Sequence, residues 1–210
     1  MDLLLHERTA WASGILLIGI DEVGRGPLAG PVVAAAVCFP GGHTGIAGVR
    51  DSKQVKDPTE RRTLALEIRA QSLAFGLGAA SVREIAVINI RRATALAMRR
   101  ALIRCRRRLT AHVTQLVVDG LPVPELGEPH LALVQGDGQC HAIAAASLLA
   151  KVARDRLMQS LAVRRPGYGW ETNVGYGTTA HVGALRRLGM TPHHRSLFCA
   201  TALSQQELDL

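Results

Sequence analysis

Apolar residues fill the stretch from Ile15 to Ile20 and give way to Asp21-Glu22 and then Gly24-Arg25-Gly26-Pro27. A short apolar run closed by acids and glycines reads as a buried strand, Ile15–Asp21, stopped by a tight loop. Val32–Phe39 follows almost at once, β-branched at its start and closed by Pro40-Gly41-Gly42, which predicts a second strand. The link is too short for a parallel crossover, so these two strands should pair antiparallel. Leu64, Leu66 and Ile68, with charges between them, predict a helix over Pro58–Gln71 with Pro58 near its start. Ser72–Ala80 reads as the third strand, and Ser81 is placed to cap a long basic helix from Val82 to about Leu109. Leu116–Asp119 predicts a short fourth strand, and a Pro-rich connection leads to a fifth at His130–Gln135. The Ala/Leu-rich stretch from Cys140 to about Leu161 is the clearest helical pattern, broken by Pro166-Gly167-Tyr168-Gly169. A further helix around Ala180–Leu188 and a C-terminal segment follow, with no internal repeat or interdomain linker. Three consecutive strands followed by helix–strand alternation predict an α/β fold, a mixed sheet with helices on both faces.

Composition narrows the class. Of 210 residues, 48% are apolar and 20% charged, which supports a sizeable core and excludes wholesale disorder. Aromatics are only 3%, so the core must be built by close packing of Ala, Val, Leu and Ile. Lys and Arg number 25 against 17 Asp and Glu, a net charge of +8 that favours a polyanionic partner, nucleic acid or acidic membrane. The apolar runs fall well short of the roughly 20 residues of a spanning helix. Asp2, His6 and Glu7 around Leu3–Leu5 do not make a signal peptide. Cys38, Cys105, Cys140 and Cys199 form no Cys-x-x-Cys pair, so reduced thiols in a cytoplasmic protein are expected.

The acids are the candidate chemistry. Successive side chains on a strand point to opposite faces, so Asp21 and Glu22 can share a site only where the strand stops. Asp119 ends the fourth strand, and Asp137 lies just past the fifth, between Gly136 and Gly138. Strand ends are where open α/β sheets bind ligands. Carboxylates gathered there repel one another, and hard divalent cations relieve that best. The alternative is that each acid separately caps a loop or helix. Gly24-Arg25-Gly26-Pro27-Leu28-Ala29 also fits a dinucleotide fingerprint. Asp21 and Glu22 would repel its pyrophosphate, however, and a strand rather than a helix follows. The loop amides and Arg25 can still hold a phosphate or a sugar hydroxyl, or the loop is a plain glycine turn. Lys53 in Asp51-Ser52-Lys53 is a phosphate contact or a solvated lysine. Ser147, Lys151 and Arg154 fall on one helix stripe that can follow a nucleic-acid backbone, or Lys151 simply pairs with Asp155. Tyr176, between Gly175 and Gly177, suits packing on a sugar or base, or anchors a core. His141, His181, His193 and His194 lack metal-ligand spacing, and no Ser or Cys nucleophile motif is present.

Together, Gly19-Ile20-Asp21-Glu22-Val23-Gly24-Arg25-Gly26-Pro27-Leu28-Ala29-Gly30-Pro31 resembles the opening signature of ribonuclease HII, the bacterial type 2 ribonuclease H. Asp51-Ser52-Lys53, Val118-Asp119-Gly120, Gly136-Asp137, Ile143-Ala144-Ala145-Ala146-Ser147, Ala150-Lys151-Val152, Arg154-Asp155-Arg156, Gly175-Tyr176-Gly177-Thr178 and the terminal His194-Arg195 with Phe198 recur in the family's order. The resemblance implies an RNase H-like five-stranded mixed sheet, its first three strands antiparallel, with flanking helices and a helical C-terminal appendage. On that reading residues 1–14 are an N-terminal segment, 15–163 the catalytic domain and 164–210 the appendage packed on it. It also implies an endonuclease that hydrolyses RNA in RNA–DNA hybrids and cuts on the 5′ side of ribonucleotides embedded in duplex DNA, leaving 3′-hydroxyl and 5′-phosphate ends. By position, Asp21, Glu22, Asp119 and Asp137 match the family's metal-binding acids, for Mg²⁺ or Mn²⁺, which would serve the attacking water and the leaving 3′-oxygen. Gly24, Arg25, Gly26 and Tyr176 match its sensor of the ribose 2′-hydroxyl, and Lys53, Ser147 and Lys151 are candidate substrate contacts. Three departures from the family pattern remove positive charge near this site: Gln135 stands where Lys is usual, Ser is usual near Cys140, and Val174 replaces a frequent Lys. The tail, Gln205-Gln206-Glu207-Leu208-Asp209-Leu210, resembles a short peptide that docks on bacterial sliding clamps, or it finishes a helix from Thr201. The enzyme is expected to be a monomer.

Overall fold

The computed structural model describes residues 2–49, 52, 55–110 and 113–208, with side chains described as far as residue 204. The chain runs α1 (Leu5–Ala12), β1 (Leu16–Val23), β2 (Val32–Cys38), α2 (Pro58–Gln71), β3 (Ala74–Ala80), α3 (Val82–Arg106), β4 (Thr114–Asp119), β5 (Leu131–Leu133), α4 (His141–Arg164), α5 (Trp170–Asn173), α6 (Thr179–Leu188) and α7 (Ser196–Leu208). The strands form one sheet in the order β3-β2-β1-β4-β5. The β1–β2 and β2–β3 pairs are antiparallel, while β1–β4 and β4–β5 are parallel. This is the expected mixed sheet.

Helices cover both faces because successive strand residues feed opposite cores. Leu17, Ala35, Val37 and Val117 pack against α4 and α2. Their neighbours Ile18, Ala34, Ala36 and Val118 pack against α3. With so few aromatics, contact is achieved by bringing backbones together. A Cβ on Gly78 would stand 2.1 Å from the carbonyl oxygen of Ala97, and one on Gly19 would stand 2.4 Å from the carbonyl carbon of Ala142. Glycine and alanine thus seat α3 on β3 and α4 on β1.

The helix signals have physical counterparts. Asp57 caps α2 by accepting from the amides of Thr59 and Glu60, with Pro58 in the first turn. Ser81 and Glu84 form a reciprocal capping box on α3. Within α3, Asn89 sits at φ 63°, ψ 168° and its side chain accepts from Arg92 N–H, so Asn89 ends one helical segment and caps the next. Two elements differ from expectation. α1 was unsignalled, since Leu4 provides no side-chain cap; α1 forms because its Glu7 reaches another element. Glu7 Oε1 accepts from Ala142 N–H at 2.7 Å and from Cys140 Sγ at 3.3 Å. Cys140 itself offers α4 no side-chain cap, and Glu7 supplies one from a distance. β5 is only three residues long rather than six, because Gln135 turns left-handed at φ 57°.

A third apolar cluster lies beyond the sheet. Met158, Leu161 and Ala162 of α4 pack with Tyr168, Trp170, Val182, Leu185 and Cys199. All four cysteines are buried and unpaired. Among the described residues, no helix is long and apolar enough to cross a membrane.

Candidate active site

The acids gather where β1 outruns β4. Pairing with β4 ends at Ile20↔Val118, and continuing that register one step sets Asp21 beside Asp119. The strand itself does not stop at the acids. Asp21 and Glu22 remain paired with Ala35 and Ala34 of β2, and β1 continues to Val23. The expectation of a strand ending at the acids is therefore corrected. What ends is the β4 edge, and that opening lets both carboxylates feel Asp119.

The electrostatics follow from this crowding. Burial, then the charges of Glu22 and Asp119, push the Asp21 carboxyl well above the usual carboxylate range; a hydrogen bond from Ser147 and one from Glu22 N–H, at 2.6 Å, oppose this. Burial raises Glu22 too, with Arg25 pulling it down and Asp119 pushing it up. The Arg25 guanidinium lies 3.3 Å from Glu22. Asp119 Oδ1 accepts from Gly136 N–H at 2.6 Å, which ties the end of β4 to the turn carrying Asp137. Among the described residues, no three His, Cys, Asp or Glu side chains are gathered closely enough to hold a metal ion by themselves. The donor set is nevertheless all oxygen, and a carboxyl held up by like charge is what a hard dication would relieve. That donor chemistry suits a hard divalent cation.

The glycine loop is held by two buried guanidiniums. Arg154 is fully buried and donates to Ala29, Pro31 and Val174 carbonyls at 3.1, 3.1 and 2.9 Å. Arg195, 2% exposed, donates to Gly24, Arg25 and Gly30 carbonyls at 2.6–3.0 Å. The loop's carbonyls thus turn inward. The amides of Gly24, Arg25 and Gly26 find no acceptor among the described residues. Gly24 must be glycine, at φ 91° with a Cβ position 2.1 Å from Arg154 Nε. The same framework brings Tyr176 to the loop, since Leu28 and Ala29 N–H both donate to Gly175 carbonyl. Tyr176 is 44% exposed, so it is no core anchor. Its own carbonyl accepts from His181 Nδ1 at 2.8 Å. His181 Nε2 in turn accepts from Trp170 Nε1 and faces His194 Nε2 at 3.1 Å.

The stripe on α4 divides. Ser147 is buried, with its hydroxyl 2.8 Å from that of Ser52 and bonded to Asp21. Arg154 faces the loop, not solvent; the expectation that it follows a nucleic-acid backbone is corrected. The cause is that α4 passes the sheet edge at this level, and its stripe meets the loop there. Lys151 pairs with Asp155 at 2.7 Å on a partly exposed surface. Lys53 and Asp51 lie outside the described residues, as do Asp209 and Leu210 of the tail. The roles of Glu7 and Arg195 were not read from spacing, because each acts on an element more than a hundred residues away.

The ribonuclease HII family model matches residues 18–201. A ribonuclease HII of Synechococcus sp. is 51% identical over 198 residues, 93% of this chain and 87% of that protein. Among solved structures, the RNase HII of Archaeoglobus fulgidus, in its complex with PCNA, aligns with a TM-score of 0.70 at 22% identity, covering 86% of this chain and 94% of that one. Bst-RNase HIII in complex with Mn²⁺ aligns with a TM-score of 0.72 at 19% identity, covering 97% and 73%. At those identities the two structures speak for the fold.

The histidines behind Tyr176 and at the start of α4 give a pH dependence. Burial lowers His141 and His194 to about 4, helped by His43 and His181 respectively, and burial also lowers His181. These rings are neutral in the fold and titrate near 6.5 when unfolded. Their contribution to stability is therefore full above about pH 6.5 and is lost as pH falls towards 4, on the order of 3 kcal/mol for His141. The raised carboxyls of Glu7, Asp21 and Glu22 act in the opposite sense. Urea denaturation of His141→Asn at pH 7 and pH 4.5 should isolate the histidine part. The variant should lose less stability over that window than the parent; an equal loss would contradict the assignment.

Proposed function

This chain belongs to the ribonuclease HII family, and from that premise we propose that its acid cluster hydrolyses the RNA strand of RNA–DNA hybrids and incises beside ribonucleotides embedded in duplex DNA. The enzyme is a metal-dependent nuclease. The observation that carries the finer reading is the adjacency of Asp21, Glu22 and Asp119 to a glycine loop whose carbonyls are consumed and whose amides are open.

Asp21, Glu22, Asp119 and Asp137 would hold Mg²⁺ or Mn²⁺, which when bound activates water and stabilises the leaving 3′-oxygen. Ser147 donates to Asp21 and fixes that carboxylate's orientation before any substrate arrives. Gly136 N–H does the same for Asp119. The outward amides of Gly24, Arg25 and Gly26 are donors for a ribose 2′-hydroxyl, the group that distinguishes RNA from DNA. Tyr176 packs on that sugar, a reading its half-exposed ring on a glycine-flanked turn supports. Lys151 and Lys53 are read as phosphate contacts, with Lys151 sharing its charge with Asp155. Products carry 3′-hydroxyl and 5′-phosphate ends. The enzyme works as a cytoplasmic monomer, and its Gln205–Leu210 tail docks on a sliding clamp. The tail resemblance and the Archaeoglobus complex with PCNA support that last step.

A cleavage assay on a duplex with one embedded ribonucleotide, in Mg²⁺, Mn²⁺ and EDTA, tests the reading directly. Asp21→Asn or Asp119→Asn should reduce turnover by about a hundredfold or more, because an amide cannot balance a divalent cation. Substrate binding should survive, since affinity rests on basic groups elsewhere. Near-normal cleavage by either variant would sink the assignment. Tyr176→Ala should weaken incision at a lone ribonucleotide by about tenfold, the scale of one lost stacking contact, and continuous hybrids less. Equal losses on both substrates would point to a structural role. Deleting residues 205–210 should abolish binding to a bacterial clamp in an anisotropy titration without slowing cleavage of naked duplex. If the full chain shows no clamp binding at roughly tens of micromolar, the docking reading is wrong.

A further inference from the structure

A groove of about 810 Å³ runs between α2 and α4 and is floored near one end by α5. Five cations line it, Arg61, Arg62 and Arg69 from α2 and Lys151 and Arg156 from α4, against the carboxylates of Asp155 and Glu171. The cations are not equivalent. Arg61 donates to the carbonyls of Val55 and Lys56 and lies 3.9 Å from Asp155, and Lys151 holds Asp155 at 2.7 Å. Asp155 is therefore neutralised within the chain. Arg69 lies 5.8 Å from the centroid of the Phe75 ring. Arg62 and Arg156 are exposed, and their guanidiniums have no hydrogen-bond or ion-pair partner among the described residues. Two uncommitted guanidiniums on facing helices, over a pair that has cancelled its own acid, form a lane that suits an extended polyanion.

The lane starts beside the acids. Ser147 bonds Asp21, Lys151 stands one turn further along α4, and Gln159 marks the far end of the groove. At 1.5 Å per residue that places the groove from about 6 to about 18 Å along the helix from the site. A duplex lying along α4, at roughly 3.4 Å per base pair, would cross it from about the second to the fifth pair from the point of cleavage. We infer that the α2–α4 groove binds the phosphodiester backbone of the duplex arm flanking the scissile position, with Arg62 and Arg156 as its phosphate contacts. This rests on the reading that the substrate is a duplex containing RNA. It adds a second, sequence-independent hold on that duplex, away from the residues that recognise ribose.

The test is binding rather than cleavage. Anisotropy of a labelled hybrid duplex is followed in EDTA over a series of salt concentrations, for the full chain and for R62Q/R156Q. The groove variant should bind on the order of tenfold more weakly at about 0.1 M salt, and its slope of log K against log salt should be shallower by about 2. R99Q/R107Q removes the same charge from exposed positions on or just past α3, on the other face of the sheet, and should keep the parent slope. Shortening the duplex arm over α4 below about five base pairs should erase the difference between parent and groove variant. An unchanged slope in R62Q/R156Q, or an equal change in both double variants, overturns the proposal. Inorganic triphosphate is the second probe. If it binds the parent and not R62Q/R156Q while duplex binding is the same for both, the groove serves a free phosphate and the proposal fails. Failure of the parent to cleave in Mg²⁺ or Mn²⁺ would instead count against the acid cluster, and leaves the salt slope to decide the groove.

Discussion

Two positive charges buried without a carboxylate hold this molecule's working surface in place. Taking an ion out of water costs several kcal/mol even after relaxation. Arg154 and Arg195 recover that through carbonyls alone, six of them, at about 1.5–3 kcal/mol for each bond to a charged donor. Burial, with the neighbouring Arg154 charge, lowers Arg195 to about 10, so its guanidinium still carries its proton at neutral pH, and burial lowers Arg154 as well. Where Arg195 takes the Gly24 and Arg25 carbonyls, the N–H groups of the same peptide units, those of Arg25 and Gly26, point the other way and stay free of the interior. The same bonds splice the loop after β1 to Val174 and so to the turn bearing Tyr176. Backbone donors and an aromatic side chain from residues about 150 positions apart become one surface.

α4 is the element that makes this possible. It meets β1 at Gly19, passes Asp21 at Ser147, reaches the loop at Arg154 and closes on Gly30 with Met158. Each contact sits one to two turns beyond the last, so a single straight helix indexes the acids against the loop. Its start is fixed in turn by Glu7 on α1, a carboxylate that burial raises and that hydrogen bonds to Ala142 and Cys140 partly restore. Cys140 gives that start no side-chain cap of its own, so the cap comes from outside the helix. The flank of the same helix that faces α2 carries the basic groove.

The charge pattern has two scales. Within the site, Asp21, Glu22 and Asp119 repel one another, with Arg25 the nearest relief. Over the whole surface the sign reverses, and an arginine-rich exterior draws a polyanion towards a negative centre. A phosphate approaching that centre needs a dication between it and the carboxylates. The donor chemistry and the electrostatics therefore ask for the same ligand. Val174, at φ 44°, delivers the carbonyl that Arg154 requires through its backbone alone.

Much of this was legible in the chain. Apolar runs located all five strands, Pro58 and the Ser81 cap marked two helix starts, and ordered motifs pointed to the acids, the glycine loop and Tyr176. Those signals are local: a cap acts within three residues, and a strand pattern repeats every two. What only the tertiary structure decided is long-range. The continuation of β1 through its acids depends on where β4 stops pairing. α1 and Glu7 depend on the start of α4, and the burial of Arg154 depends on a helix overshooting the sheet edge. A stripe of Ser147, Lys151 and Arg154 has one spacing and three fates, because periodicity assigns residues to a helix face but only packing says what that face meets.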